Sequence, residues 1–177
     1  MMRTFGGIWL ASILAIGFAL PAAAAYVFFH QVRGDWAVVC WQEITNERKQ
    51  CRMSAPPAAL SLEKRGNELI VHEYAADTFQ VAVQLYQPVA ARHGVFLRVD
   101  ENVAHEAPVQ NGLARWAGDA ALRILAEMRA GNELVFRIHT VPDALPQDTF
   151  VSLEGFDEAL STYRREIRRH RLLAGAP

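Results

Sequence analysis

Hydrophobic side chains alternate with other side chains along residues 34–53, the stretch that also contains both cysteines of the chain. Trp36, Val38 and Cys40 occupy every second position, and side chains at that spacing share one face of a β-strand. A polar run then predicts a turn, after which Cys51 returns on a second strand. We therefore predict a β-hairpin closed by a disulfide between Cys40 and Cys51.

The other face of the first strand of this hairpin is also apolar, because it carries Ala37, Val39 and Trp41. A sheet face that is open to water normally carries polar residues, so we expect another part of the protein to cover this one. One hypothesis places the C-terminal helix across this face, with Trp41 beneath it. The rival hypothesis makes Trp41 an exposed anchor for a binding partner.

Further alternating segments predict additional antiparallel strands, at residues 68–74, 79–86, 95–99, 133–140 and 149–153, with a turn at 142–148 before the last of them.

Two segments have the spacing of amphipathic helices. The first begins at Asp119, which we predict as the N-cap, and stops at Gly131. The second covers residues 156–173, with acidic residues in its first turn and arginines in its last, an order that favours the helix dipole.

About seven short strands with few helices predict a mainly β fold. We expect an antiparallel β-sandwich, immunoglobulin-like, with one short inserted helix and a C-terminal helix. A partly open barrel is the alternative.

The first 25 residues combine one arginine, an apolar core and a run of alanines, which is typical of a secretory signal peptide. We predict a signal peptide at 1–25, a single disulfide-stapled domain at 26–177, and a periplasmic or secreted location. An uncleaved inner-membrane anchor is the alternative, because the apolar stretch is long enough to span a bilayer. An exported chain with two cysteines favours a disulfide over free thiols.

The composition supports a folded protein, since 51% of the 177 residues are hydrophobic and 21% are charged. The formal net charge of −1 argues against a general nucleic-acid binder.

Candidate catalytic chemistry is sparse. The six histidines have no metal-ligand spacing, so we predict no metal and no cofactor. No serine lies in a nucleophile elbow, and both cysteines are assigned to the disulfide, so we predict no catalytic residue. Carboxylates could still pair in space, which the sequence does not show.

The strongest local charge signal is an arginine cluster near the C-terminus, formed by Arg164, Arg165, Arg168, Arg169 and Arg171. One interpretation is docking onto anionic lipid headgroups, lipopolysaccharide phosphates or an acidic protein. The other is a solvated helix end that its own dipole balances. Trp41 and these five arginines are our candidate binding surface.

Several segments, taken in order, resemble the invasion-associated locus B family of exported bacterial proteins. GDWAVVC and CRM resemble its opening strand and second cysteine, and GVFLRVDEN resembles its mid-chain strand. LRILAEMRAGNELVFRI and FVSLEGFDEALSTY resemble its short helix with the following strand and its closing strand and helix. The family commonly has a second cysteine pair, whereas this chain has Leu113 where a cysteine would be expected.

The resemblance implies a β-sandwich, an exported location and no established catalytic residues. We therefore predict a non-enzymatic binding or interaction module of the cell envelope, whose partner is an envelope or host-surface protein. The alternative is a small periplasmic hydrolase with an unrecognised site.

Overall fold

The computed structural model describes residues 25–55, 66–75 and 78–170. Within these residues the chain forms eleven strands and two α-helices. The elements are β1 (Ala25–Arg33), β2 (Trp36–Glu43), β3 (Lys49–Ala55), β4 (Glu68–Ala75), β5 (Thr78–Gln84), β6 (Val95–Val99), β7 (His105–Ala107), β8 (Val109–Gln110), β9 (Leu113–Ala117), α1 (Asp119–Ala130), β10 (Glu133–Thr140), β11 (Leu145–Ser152) and α2 (Phe156–His170).

The strands form two antiparallel sheets. The larger sheet has the order β1-β2-β3-β4-β5-β9-β8, so its first five strands neighbour one another in chain order. The smaller sheet has the order β11-β10-β6-β7. Cys40 and Cys51 lie directly opposite each other in β2 and β3 and form the predicted disulfide.

The hydrophobic core lies between the sheets and the two helices. Trp36, Val38 and Cys40 are all buried in it, as the alternation predicts. Helix α1 contacts β5, β9 and β6 and so packs against strands of both sheets, whereas α2 packs on β1, β2 and β3.

Two motifs that are far apart in sequence meet where the sheets join. The Trp36 indole N–H donates a 2.9 Å hydrogen bond to the Ser152 carbonyl, and Asp35 accepts a 2.8 Å bond from the Ser152 amide. Gly34 has a φ of +54°, and a Cβ there would lie 2.7 Å from the Glu154 carbonyl oxygen. The glycine therefore allows the turn before β2 to sit against the start of α2.

The predicted fold class is confirmed: the protein is mainly β, with packed antiparallel sheets, a short inserted helix and a C-terminal helix. Four strands, β1 and β7 to β9, were not predicted from the sequence. Strand β1 follows directly on the apolar leader, so its pattern merges with that of the leader. Strands β7 and β8 contain only three and two residues, too few to show a period.

Two predicted boundaries are wrong. Gly118, and not Asp119, is the N-cap of α1, and no side chain caps that end. Strand β11 begins at Leu145 and includes most of the predicted turn. Pro146 is tolerated there because β11 is an edge strand of its sheet, where a missing N–H breaks no ladder. The predicted stop at Gly131 is confirmed, since α1 ends at Ala130.

The hypothesis that α2 covers Trp41 is wrong. Phe156, the first residue of α2, packs edge to face on Trp36 with ring centroids 4.8 Å apart. Arg164 of the same helix lies over the Phe79 ring of β5, with the guanidinium carbon 4.6 Å from its centroid. Because Trp36 and Trp41 are separated by an odd number of positions, they point to opposite faces of β2, and α2 occupies the Trp36 face.

Neither helix within the described residues is long and apolar enough to cross a membrane. The predicted signal peptide lies outside the described residues apart from Ala25, the first residue of β1.

Candidate binding surface

The smaller sheet has one face in the core and one face towards solvent, and the solvent face carries an unusual mixture of side chains. In β6, the inward residues Val95, Leu97 and Val99 are buried, while Phe96 is half-buried and Arg98 is exposed. A face open to water usually carries polar residues, so aromatic rings beside arginines indicate a surface that binds another molecule.

The strand registers place these outward side chains in two rows across the sheet. One row contains Phe96 on β6, Arg137 on β10 and Asp148 on β11. The neighbouring row contains Arg98, Val135 and Phe150 on the same three strands.

A groove of about 530 Å³ runs over these rows, a volume within the range of small-molecule sites. We call it the outer groove. It is lined by His93, Phe96, Arg98, Ala104, Val135, Arg137, His139, Asp148 and Phe150.

Arg137 and Asp148 form a two-bonded ion pair within the outer groove. The guanidinium Nε and Nη2 donate to the two carboxylate oxygens of Asp148 at 2.7 and 2.8 Å. The hydrogen bond from Arg137 and its positive charge hold the pKa of Asp148 below its usual range. The aspartate is thus ionised at neutral pH, and it neutralises one of the two arginines of the groove.

Three rings form one wall of the outer groove. The imidazoles of His93 and His139 lie 4.8 Å apart between centroids, and Phe96 meets His139 edge-on at 6.3 Å. The Arg92 Nε–H donates a 3.0 Å hydrogen bond to His93 Nε2. His139 Nδ1 is buried and has no hydrogen-bond partner within the described part of the chain.

Arg98 differs from Arg137 because it forms no hydrogen bond or close ion pair with another described residue, although its charge helps to hold the pKa of Asp148 below its usual range. Its side chain is exposed, its neighbour on β10 is Val135, and Ala104 also lines the groove. With two arginines and one aspartate, the outer groove has an excess of positive charge next to apolar surface.

A second polar cluster lies where α2 packs against β4. The Tyr163 hydroxyl accepts a 3.0 Å hydrogen bond from the Glu73 amide and lies 3.2 Å from His72 Nδ1. Burial raises the pKa of Tyr163, and burial also lowers the pKa of His72, against the charge of Glu73. Neither residue lines the outer groove.

The predicted binding residues do not form one surface. Trp41 is half-buried, with the Arg52 guanidinium over its ring at 6.0 Å from the centroid. Arg164 pairs with Glu73 at 3.3 Å, and Arg165 lies 3.5 Å from Glu166. Arg168 and Arg169 are exposed on the last turn of α2, and Arg171 lies outside the described residues.

Two of the three remaining histidines have separate structural contacts. His105 lies 3.0 Å from both carboxylate oxygens of Glu127 and ties β7 to α1, and His170 packs edge-on against Phe28. Among the described residues, no group of three or more His, Cys, Asp or Glu side chains is arranged to hold a metal ion.

The outer groove was not predicted from the sequence. The alternation of Val135, Arg137 and His139 in β10 does show that these three share a face. It does not show which strands lie beside β10, and the partners come from β6 and β11, before and after it in the chain. His93 and His139 are 46 positions apart, so their stacking has no local sequence signal.

Comparison with solved structures gives a match to the crystal structure of invasion associated protein B from Bartonella henselae. The TM-score is 0.60 and the sequence identity 21%, over 79% of this chain and 99% of that chain. No family model matches the sequence, and no curated protein matches it. At this identity the likeness shows a shared fold, which confirms the predicted resemblance at the level of the fold.

Proposed function

We propose that this protein is an exported, non-enzymatic binding protein of the cell envelope, allied to the invasion-associated locus B proteins. The observation that carries the proposal is the outer groove, in which aromatic rings and an exposed arginine, Arg98, face solvent on a sheet whose other face is core.

The energetics of the outer groove suit binding. The Phe150 side chain is 60% exposed, and burying an aromatic ring is among the larger favourable contributions to an interface. The side chains stand on paired β-strands, so little conformational freedom of the backbone is lost when a partner binds. Arginine and aromatic residues are also the types most enriched where partners bind tightly.

Two observations support export. The leader has the composition of a signal peptide, and the Cys40–Cys51 disulfide suits an oxidising compartment. A mature chain that starts between Ala24 and Tyr26 would lose at most Ala25, the first residue of β1. The intact mass of the protein recovered from the periplasm tests this, and a mass that includes residues 1–20 would support the membrane-anchored alternative.

The two residues with shifted pKa values, His72 and Tyr163, support a structural role for the second polar cluster. His72 and Tyr163 hold α2 against β4 through direct hydrogen bonds, and the groove that faces solvent is lined by other residues. We therefore favour binding over the hydrolase alternative.

The arginine cluster contributes less to this proposal than the outer groove does. Arg164 and Arg165 face carboxylates of the protein itself, which leaves the exposed Arg168 and Arg169 for an anionic headgroup. Docking onto anionic lipid or lipopolysaccharide, and contact with a host surface, stay predictions.

Affinity capture from detergent-solubilised envelope tests the binding role. The immobilised protein is compared with the Arg98→Gln/Phe150→Ala double variant and with Arg115→Gln/Ile44→Ala, a control that removes an exposed arginine and an exposed apolar side chain from the larger sheet and its β2–β3 turn. We expect components that the wild type and the control retain and the groove variant loses. Equal retention by all three would overturn the proposal.

A further inference from the structure

The outer groove has a polarity that restricts what it can hold. Of its two arginines, Arg137 is already neutralised by Asp148 through two hydrogen bonds of 2.7 and 2.8 Å. Arg98 lies in the neighbouring row beside Val135 and makes no hydrogen bond or close ion pair with a described carboxylate, although its charge also acts on Asp148. The unsatisfied charge of the groove is therefore positive, and it lies beside apolar atoms.

The apolar part of the same row extends away from Arg98 across β10 to β11. Val135 is opposite Arg98 on one side and opposite Phe150 on the other. Because neighbouring strands are about 4.8 Å apart, the backbones at Arg98 and Phe150 are separated by about 10 Å. A ligand whose charged group binds Arg98 has room for an apolar body of about two fused rings. That body would lie along Val135 towards Phe150.

Other acidic groups on this face lie outside the groove. Glu106 of β7 is paired with Phe96, and Glu133 is the first residue of β10, but neither lines the groove. Asp148 lies within it, and its charge is held by Arg137. The groove therefore favours an anionic ligand over a cationic one.

The guanidinium of Arg98 also suits a ligand that carries a carboxylate. A guanidinium presents paired donors in the geometry of a carboxylate.

We propose that the outer groove binds small organic carboxylates with an aromatic or otherwise apolar body, the carboxylate at Arg98 and the body on Val135 and Phe150. This assignment rests on the proposed binding function and specifies its ligand class.

Titration of the purified, isotope-labelled full chain by NMR tests this, with 2-naphthoate as the probe and the neutral 2-naphthalenemethanol as its matched control. We expect naphthoate to shift amide signals of β6, β10 and β11 and to bind at least several-fold more tightly than the alcohol. Arg98→Gln should weaken naphthoate about ten-fold, because a charge-assisted pair is lost, and should leave the alcohol unchanged. Arg115→Gln, on β9 of the other sheet, should change neither.

Three results would overturn the assignment: equal affinity for acid and alcohol, shifts confined to other strands, or unchanged naphthoate binding by Arg98→Gln. The envelope capture separates this failure from failure of the proposed function. If naphthoate does not bind but capture still requires Arg98 and Phe150, the carboxylate class is wrong and the binding role stands.

Discussion

The Tyr163 hydroxyl is the polar contact that most directly fixes α2 on the larger sheet. Its ring is fully buried, and burial raises its pKa, so the hydroxyl stays protonated. It can then donate to His72 Nδ1 while it accepts from the Glu73 amide. A buried hydroxyl with both roles satisfied stabilises the fold, and its loss leaves a buried N–H without this acceptor.

Replacing Tyr163 by Phe should therefore lower the free energy of unfolding by about 1–3 kcal/mol, the usual effect of leaving a buried group unpaired. Urea denaturation measures the change. Tyr26→Phe is the control, because Tyr26 is 63% exposed, and it should leave the midpoint within error. Equal stability of Tyr163→Phe and the wild type would show that the hydroxyl contributes nothing.

His72 should make stability depend on pH. The residue as a whole is exposed, but its Nδ1 lies 3.2 Å from the buried Tyr163 hydroxyl, and desolvation lowers the pKa of His72 in the folded state, against the charge of Glu73. Between the unfolded value of about 6.5 and the lower folded value, the unfolded chain binds more protons. This contribution to stability is present above about pH 6.5 and is lost as the pH falls through the folded pKa.

The measurement is the urea midpoint of the wild type and of His72→Gln from pH 7.5 to pH 5. The variant should lose less stability on acidification than the wild type does. Gln80→Ala, which changes the cross-strand neighbour of His72, keeps the imidazole and should follow the wild type. Parallel curves for wild type and His72→Gln would contradict this role of His72.

Among the elements, the β2–β3 hairpin is the one that the sequence predicts best. Alternation fixes its faces, and two cysteines 11 residues apart fix its register. Losing the disulfide through Cys40→Ala/Cys51→Ala should lower the free energy of unfolding by about 3 kcal/mol, the chain-entropy value for a loop of this length. Denaturation without reductant measures the loss, and a reductant should then destabilise the wild type but not the variant.

The junction between α1 and β10 depends on close approach at Gly131. A Cβ there would collide with the Val99 side chain and lie 2.9 Å from the Asp100 carboxylate. That carboxylate accepts hydrogen bonds from the Asn132 and Glu133 amides at 3.0 and 2.9 Å, so it cannot move without breaking them. The position needs glycine for space, since its φ of −96° is open to any residue.

Gly131→Ala should therefore destabilise the protein by about 1–3 kcal/mol, the usual effect of overpacking. Gly66→Ala is the matched control, because a Cβ there meets nothing within 4 Å, and it should change stability by less than about 0.5 kcal/mol. Thermal denaturation of both variants tests the contrast, and equal midpoints would contradict it.

Strand β1 and the outer groove were not predicted from the sequence, for two physical reasons. Strand β1 lies after a leader that is itself apolar, so no change in pattern separates the two. The outer groove depends on pairing: Phe96, Arg137 and Asp148 form one row only because β6 and β11 flank β10. Such registers are set by tertiary packing, and the alternation within one strand does not contain them.

At the scale of the whole molecule, the two sheets have different roles. The larger sheet and the helices bury most of the core, and the disulfide lies within that sheet. The smaller sheet contributes one face to the core and leaves Phe96, Val135 and Phe150 on the other face. A stable scaffold that presents a groove lined by aromatic rings and arginines is the arrangement expected of a binding protein.

Site-specific photo-crosslinking in cells tests the central claim most directly. Phe150 is replaced by p-benzoylphenylalanine, and Ile44, 62% exposed in the turn between β2 and β3, carries the same group in the control. We expect a discrete crosslinked product from position 150, detected by intact mass, that Arg98→Gln removes, and no such product from position 44. No product from position 150, or the same products from both positions, would contradict the claim that the outer groove is the binding surface.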